Sequence, residues 1–112
     1  MADTQIGGWM RPGEHDDFMR YLEQFHLGPG AVAALLIVKE LRLGLLPKLK
    51  ELYPMPKGPG RGRVSARPQD LTVKADFNAH AASFGIKPDP AAAMVFRAEL
   101  MERSLERWME SG

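Results

Sequence analysis

DFMRYLEQFHLGPGAVAALLIVKEL, residues 17–41, and DFNAHAASFGIKPDPAAAMVFRAEL, residues 76–100, fall into line at a constant offset of 59. Asp17, Phe18, Phe25 and Pro29 meet Asp76, Phe77, Phe84 and Pro88, and the match continues from Ala33, Ala34, Glu40, Leu41 and Leu46 to Ala92, Ala93, Glu99, Leu100 and Leu105. That makes nine identities in thirty positions, where average residue usage would give roughly two or three. Four further pairs, Leu27/Ile86, Leu35/Met94, Leu36/Val95 and Ile37/Phe96, keep apolar opposite apolar. The pattern reads as a tandem duplication, so the fold must be one that two similar units build together.

Punctuation divides the chain at PMPKGPGRG, 54–62, whose three prolines and three glycines suit neither helix nor regular strand. The expected organisation is a first repeat over 1–53, a linker over 54–62 and a second repeat over 63–112. In the second repeat, RVSARP alternates Arg63, Ser65 and Arg67 with Val64 and Ala66, a short period-two strand that Pro68 stops. Helical spacing of Leu71, Val73, Phe77, Ala81 and Phe84 predicts a helix over 69–84 with Gly85 as its C-terminal cap. Asp89 as N-cap and Pro90 at the first helical position then open a long helix over 91–109. Its apolar face would hold Ala93, Met94, Phe96 or the Arg97 stem, Leu100, Met101, Leu105 and Trp108. Glu99, Glu102, Arg103, Glu106 and Arg107 would face water.

The first repeat follows the same plan. TQIGGWMR, 4–11, can be a strand with Ile6, Gly8 and Met10 on one face and Gln5, Gly7, Trp9 and Arg11 on the other, weakened by its adjacent glycines. Arg11-Pro12 answers Arg67-Pro68 if the first copy lacks three residues between strand and helix. Helices are expected over 13–26 and 31–44, the second buried on most sides through AVAALLIV. Pro47 kinks or ends it, and PKLKELY adds a helical turn or two.

With 112 residues, 45% hydrophobic and 26% charged, the chain has the make-up of one ordinary globular domain, or of two small units sharing a core. The absence of cysteine excludes disulfide and thiol chemistry and suits a reducing cytoplasm. MADTQIGGWM has neither the basic region nor the apolar run of a signal peptide, and AVAALLIV is too short to span a bilayer, so a membrane role is not expected. Net charge is only +1, yet Lys57, Arg61, Arg63, Arg67 and Lys74 stand against Asp70 alone between 57 and 74. A local basic stripe on a nearly neutral protein fits a confined anion-binding surface.

Strand, short helix, tight turn and longer helix, with the basic strand ending at Arg67-Pro68 and the AASFGI close of the first helix, resemble the ribbon-helix-helix family of DNA-binding proteins. The likeness is carried by 63–109 and extends to 4–46 through the repeat. The resemblance implies a mainly α fold with a short two-stranded antiparallel β-ribbon, in which the two repeats supply both halves and make a monomer with a pseudo-two-fold axis, compatible with association on longer sites. It implies a double-stranded DNA partner, with the ribbon in the major groove, as for a transcriptional repressor or an accessory factor in plasmid or DNA-transfer processing. Outward residues Arg63, Ser65 and Arg67 of the second strand would reach base edges, with Gln5, Trp9 and Arg11 as their counterparts on the first. Phosphate would be held at the second-helix starts, Gly30 to Val32 and Asp89 to Ala91, with Lys87 as a nearby cation, and Arg61 of the basic stripe would be a further DNA-binding residue.

Each signal has a plainer reading. The arginines of GRGRVSARP can be solvated residues after a linker, and Arg61 to Arg63 lacks the flanking proline of an AT-hook. Tryptophan's usual place makes Trp9 and Trp108 core or interface anchors ahead of stacking platforms, and the methionines 19, 94, 101 and 109 are core fillers. His15, His26 and His80 have no metal-ligand spacing. GPGRGR, 58–63, lacks the lysine and hydroxyl of a P-loop, and no Ser-His-Asp or paired-carboxylate arrangement is present, so neither enzyme, cofactor nor metal is expected. The rival partner is a protein, docked in antitoxin-like fashion by the AVAALLIV helix or the Trp108 face.

Overall fold

Two five-residue strands distant in sequence pair with each other, and among the described residues everything else is helix or connection. A computed structural model of the chain describes residues 5–26, 28–53, 62–68, 70 and 72–111, and for Pro12 and 108–111 the backbone alone. Its elements run β1 (Ile6–Met10), α1 (Pro12–Glu23), α2 (Pro29–Leu43), α3 (Leu46–Leu52), β2 (Gly62–Ala66), α4 (Thr72–Ser83), α5 (Pro88–Glu102) and α6 (Ser104–Ser111). A strand followed by three helices thus occurs twice. The fold is mainly helical with a two-stranded antiparallel sheet, in the register Ile6↔Ala66, Gly7↔Ser65, Gly8↔Val64, Trp9↔Arg63 and Met10↔Gly62.

Alternation decides which face of this ribbon is wet. Ile6, Met10, Val64 and Ala66 are buried, and they join Phe18, Leu22, Ile37, Phe77 and Phe96 in one core drawn from both halves of the chain. A radius of gyration of 13.1 Å matches the ~13 Å of a single compact domain of about 100 residues. Burial of the inner face explains one of the two glycines that weaken β1 on paper. A Cβ on Gly8 would lie 2.7 Å from the Ala93 nitrogen and 2.9 Å from its Cα, so the strand lies directly on the α5 backbone.

The helix boundaries follow the punctuation with two corrections. Pro29 and Pro47 stand in the first turn of α2 and α3, and Gly44 closes α2 in the left-handed conformation at φ 63°. The long helix expected over 91–109 is instead two. It starts earlier, with Lys87 as N-cap and Pro88 in the first turn, so Asp89 lies inside the first turn and caps nothing. It then breaks at Arg103, which adopts φ 52°. Among the described residues, those with positive φ are His26, Gly44, Gly85 and Arg103, and they form two pairs separated by 59, the offset at which the two sequence stretches align.

Glu99 is the second correction, since it does not face water. It is 4% exposed and its carboxylate accepts hydrogen bonds from the Tyr21 hydroxyl, the Ser104 hydroxyl and, at 2.9 Å, the Leu105 N–H at the start of α6. Fifty-nine residues earlier in the chain, Glu40 is 3% exposed, accepts the Leu46 N–H of α3 at 3.0 Å and lies 2.8 Å from His80 Nε2. Each carboxylate stays buried because it receives donors, satisfying a helix start that would otherwise be orphaned. Each also reaches across the molecule, Glu40 of α2 to α4 and Glu99 of α5 to α1. The ring environments match as well, Tyr21 meeting Phe25 edge-on with centroids 5.3 Å apart and His80 meeting Phe84 edge-on at 5.1 Å.

Of the methionines, Met94 is buried and Met19 packs against the core, but Met101 is 52% exposed, because the break after Glu102 ends the helical face that would have covered it. No helix among the described residues is long and apolar enough to cross a membrane.

Candidate nucleic-acid interface

The outer face of the ribbon gathers most of the residues that the strand pattern singles out. Trp9 and Arg63 are directly opposed in register and both exposed, and Ser65 lies opposite Gly7 on the same face. Trp9 is 45% exposed. It is therefore no core anchor, because a five-residue strand with Ile6 and Met10 turned inward must turn residue 9 outward. Gln5, half-buried, precedes β1, and the exposed Arg11 follows it as the N-cap of α1.

Gly7 has a different role from Gly8. The nearest atoms to a Cβ at Gly7 would be those of the Arg63 guanidinium, the far end of a flexible side chain rather than a backbone. The missing side chain leaves a floor on which the Arg63 head lies diagonally across the ribbon. Arg67, exposed just beyond β2, is held differently: its N–H donates to the Gly30 carbonyl at 3.0 Å, and its stem rests on Gly30, with Cγ 3.1 Å from where a Cβ would stand. Neither Arg63 nor Arg67 forms an ion pair among the described residues. Two guanidinium groups on one face without an ion pair among the described residues give that face a local positive charge.

The two second-helix starts are unlike. At α2 the N-cap is Gly28, whose carbonyl accepts the N–H groups of Ala31 and Val32, and Arg67 covers Gly30. At α5, Pro88 and Pro90 carry no N–H, and Asp89 places a carboxylate in the first turn. Lys87 is exposed at the N-cap of α5, the helix whose second turn supports Gly8. Arg61 lies outside the described residues, as does the Trp108 side chain.

Nothing in the sequence pattern announces the buried Glu40–His80 and Glu99–Tyr21 contacts, although an offset of 59 sets the two acids against each other. Burial and the neighbouring Glu99 carboxylate push the Tyr21 phenol well above its ordinary range, so it stays a donor. Arg103 lies over the Tyr21 ring at 4.9 Å and donates to Glu106, whose carboxyl it holds below the usual value. These groups fix α6 and are remote in kind from the ribbon chemistry.

No protein-family model, curated protein or solved structure matches the chain.

Proposed function

We propose that the chain is a tandem ribbon-helix-helix protein, two copies of one unit around a pseudo-two-fold axis, that binds double-stranded DNA with the β1–β2 ribbon in the major groove. The observation that carries this reading is the ribbon itself, an antiparallel pair whose inner face is sealed into the core and whose outer face holds Arg63, Ser65, Arg67 and Trp9. A two-stranded ribbon fits the major groove, and an arginine there can donate to guanine O6 and N7. The duplication is supported by the repeated order of elements, the paired left-handed residues and the paired buried glutamates. Ribbon residues would read bases, Gln5 and Arg11 would flank them, and Lys87 and Arg61 would meet backbone phosphate. Of the two helix starts, α2 suits a phosphate better than α5 with its acid and prolines. Such binding serves a transcriptional repressor or an accessory factor in plasmid or DNA-transfer processing.

Docking of a protein partner through AVAALLIV is less well supported. Val32, Ala33, Ala34, Leu36 and Ile37 of that stretch are already buried in this chain, leaving Ala31 and Leu35 outside.

Methylation interference tests the groove assignment. Duplexes methylated at guanine N7, in the major groove, are expected to be depleted from the bound fraction, whereas methylation of adenine N3, in the minor groove, is expected to be tolerated. Full binding to N7-methylated duplex would overturn the proposal.

A further inference from the structure

On the DNA-binding reading above, on which this inference rests, we infer that Trp9 makes recognition directional: the protein reads a non-palindromic site, with thymine methyl groups under the Trp9 end of the ribbon and guanine under the other. The two strands match at an offset of 56, from Ile6–Met10 to Gly62–Ala66. Gly8 and Val64, counterparts at that offset, are also partners in the ladder, so the pseudo-two-fold passes between them. A symmetric reader would place like residues at the counterpart outward positions. Here the counterpart of Trp9 is Ser65, and that of Gly7 is Arg63.

The two ends of the outer face consequently differ in chemistry. At the Met10–Gly62 end stands the indole of Trp9, 45% exposed and with no ring stacked on it among the described residues. Arg63 starts beside it in register, but its guanidinium is folded across Gly7, away from the indole's end and toward Ser65. Within the ladder, donors are thereby concentrated over the centre and toward Ser65; beyond it Arg67 at one end answers the exposed Arg11 at the other, so the difference between the ends lies in Trp9 against Ser65 and Gly7 against Arg63. An indole face offers the base edges no acceptor and only one donor, and the apolar group the major groove presents is the C5 methyl of thymine. Guanidinium and hydroxyl instead match the acceptors of guanine. Gly7 is a positioning residue in this scheme, because any side chain there displaces the Arg63 head.

The test is selection of preferred duplexes from a random pool by the intact protein, followed by replacement of each selected thymine with uracil, which removes only the methyl. The selected motif is expected to lack internal two-fold symmetry. One or two thymines on one flank should lose about fourfold in affinity as uracil, the equivalent of one buried methyl at ~0.8 kcal/mol. Trp9→Ala should bind thymine and uracil duplexes equally at those positions while keeping its discrimination at the guanine flank, and Trp9→Phe, which retains an aromatic face, should keep the methyl sensitivity. A two-fold symmetric motif, uniform indifference of the unaltered protein to uracil, or unchanged methyl sensitivity in Trp9→Ala would overturn the inference while leaving DNA binding intact. Failure of the unaltered protein to bind any duplex would sink the DNA reading, and this inference with it.

Discussion

Replacing Glu99 with alanine separates a buried structural acid from the water-facing residue that helical periodicity makes of it. The carboxylate is 4% exposed and accepts from Tyr21, Ser104 and the Leu105 N–H. A buried donor stripped of its acceptor costs about 1–3 kcal/mol. The Leu105 N–H is fixed by the backbone and carries that cost in full, whereas the two hydroxyls can rotate and recover part of theirs. The vacated volume adds a further term. Glu99→Ala is therefore expected to destabilise by about 3–5 kcal/mol, lowering Tm by about 12 °C or more at roughly 4–8 °C per kcal/mol. Glu99→Gln keeps one acceptor oxygen and should cost about 1–2 kcal/mol. Urea denaturation followed by far-ultraviolet circular dichroism measures both, with Glu23→Ala, an exposed acid on α1, as the surface control within about 0.5 kcal/mol of the parent. A Glu99→Ala midpoint indistinguishable from that of Glu23→Ala would refute the buried-acceptor argument.

Two other perturbations distinguish contacts that look alike in the sequence. Gly8→Ala forces a Cβ against the Ala93 backbone and should destabilise by about 1–3 kcal/mol, while Gly7→Ala moves only the Arg63 head and should leave thermal stability unchanged while weakening binding to duplex DNA. The raised Tyr21 pKa means that the folded state holds a proton the unfolded chain releases near pH 10. The stability this contributes is fully present below about pH 10 and is lost as pH rises above it. Stability should consequently fall more steeply with alkaline pH for the parent than for Tyr21→Phe, and parallel curves would contradict the Tyr21–Glu99 contact.

The ribbon was legible in the sequence because period-two alternation survives in strands this short: Ile6 and Met10 turn inward, and Arg63 and Ser65 outward, as the pattern predicts. Prolines and glycines marked the helix ends within a few residues, since Pro29, Pro47 and Gly44 act through local backbone geometry alone. Other features were hidden because their causes lie far along the chain. The approach of Ala93 that demands Gly8, and the Tyr21 hydroxyl that meets Glu99, come from elements about eighty residues away, while the Ser104 and Leu105 donors reach Glu99 across the helix break at Arg103. The break at Arg103 has no glycine to announce it, and a left-handed arginine is rare enough that periodicity runs through it. Only the alignment at an offset of 59 carried a signal, by setting Arg103 against Gly44 and Glu99 against Glu40. For Trp9 the strand alternation, which turns it outward, was the better guide, and residue type, which argued for a core anchor, was the poorer.

The central claim is tested most directly by the affinity of the intact protein for mixed-sequence duplex DNA across a salt series, beside Arg63→Ala/Arg67→Ala. Log affinity should fall linearly with log salt concentration as condensed counterions are released. At low salt the double substitution should weaken binding by about a hundredfold, from the loss of two guanidinium contacts worth ~1–3 kcal/mol each. Absence of binding at low salt, or salt-tolerant binding that survives both substitutions, would contradict a ribbon in the major groove.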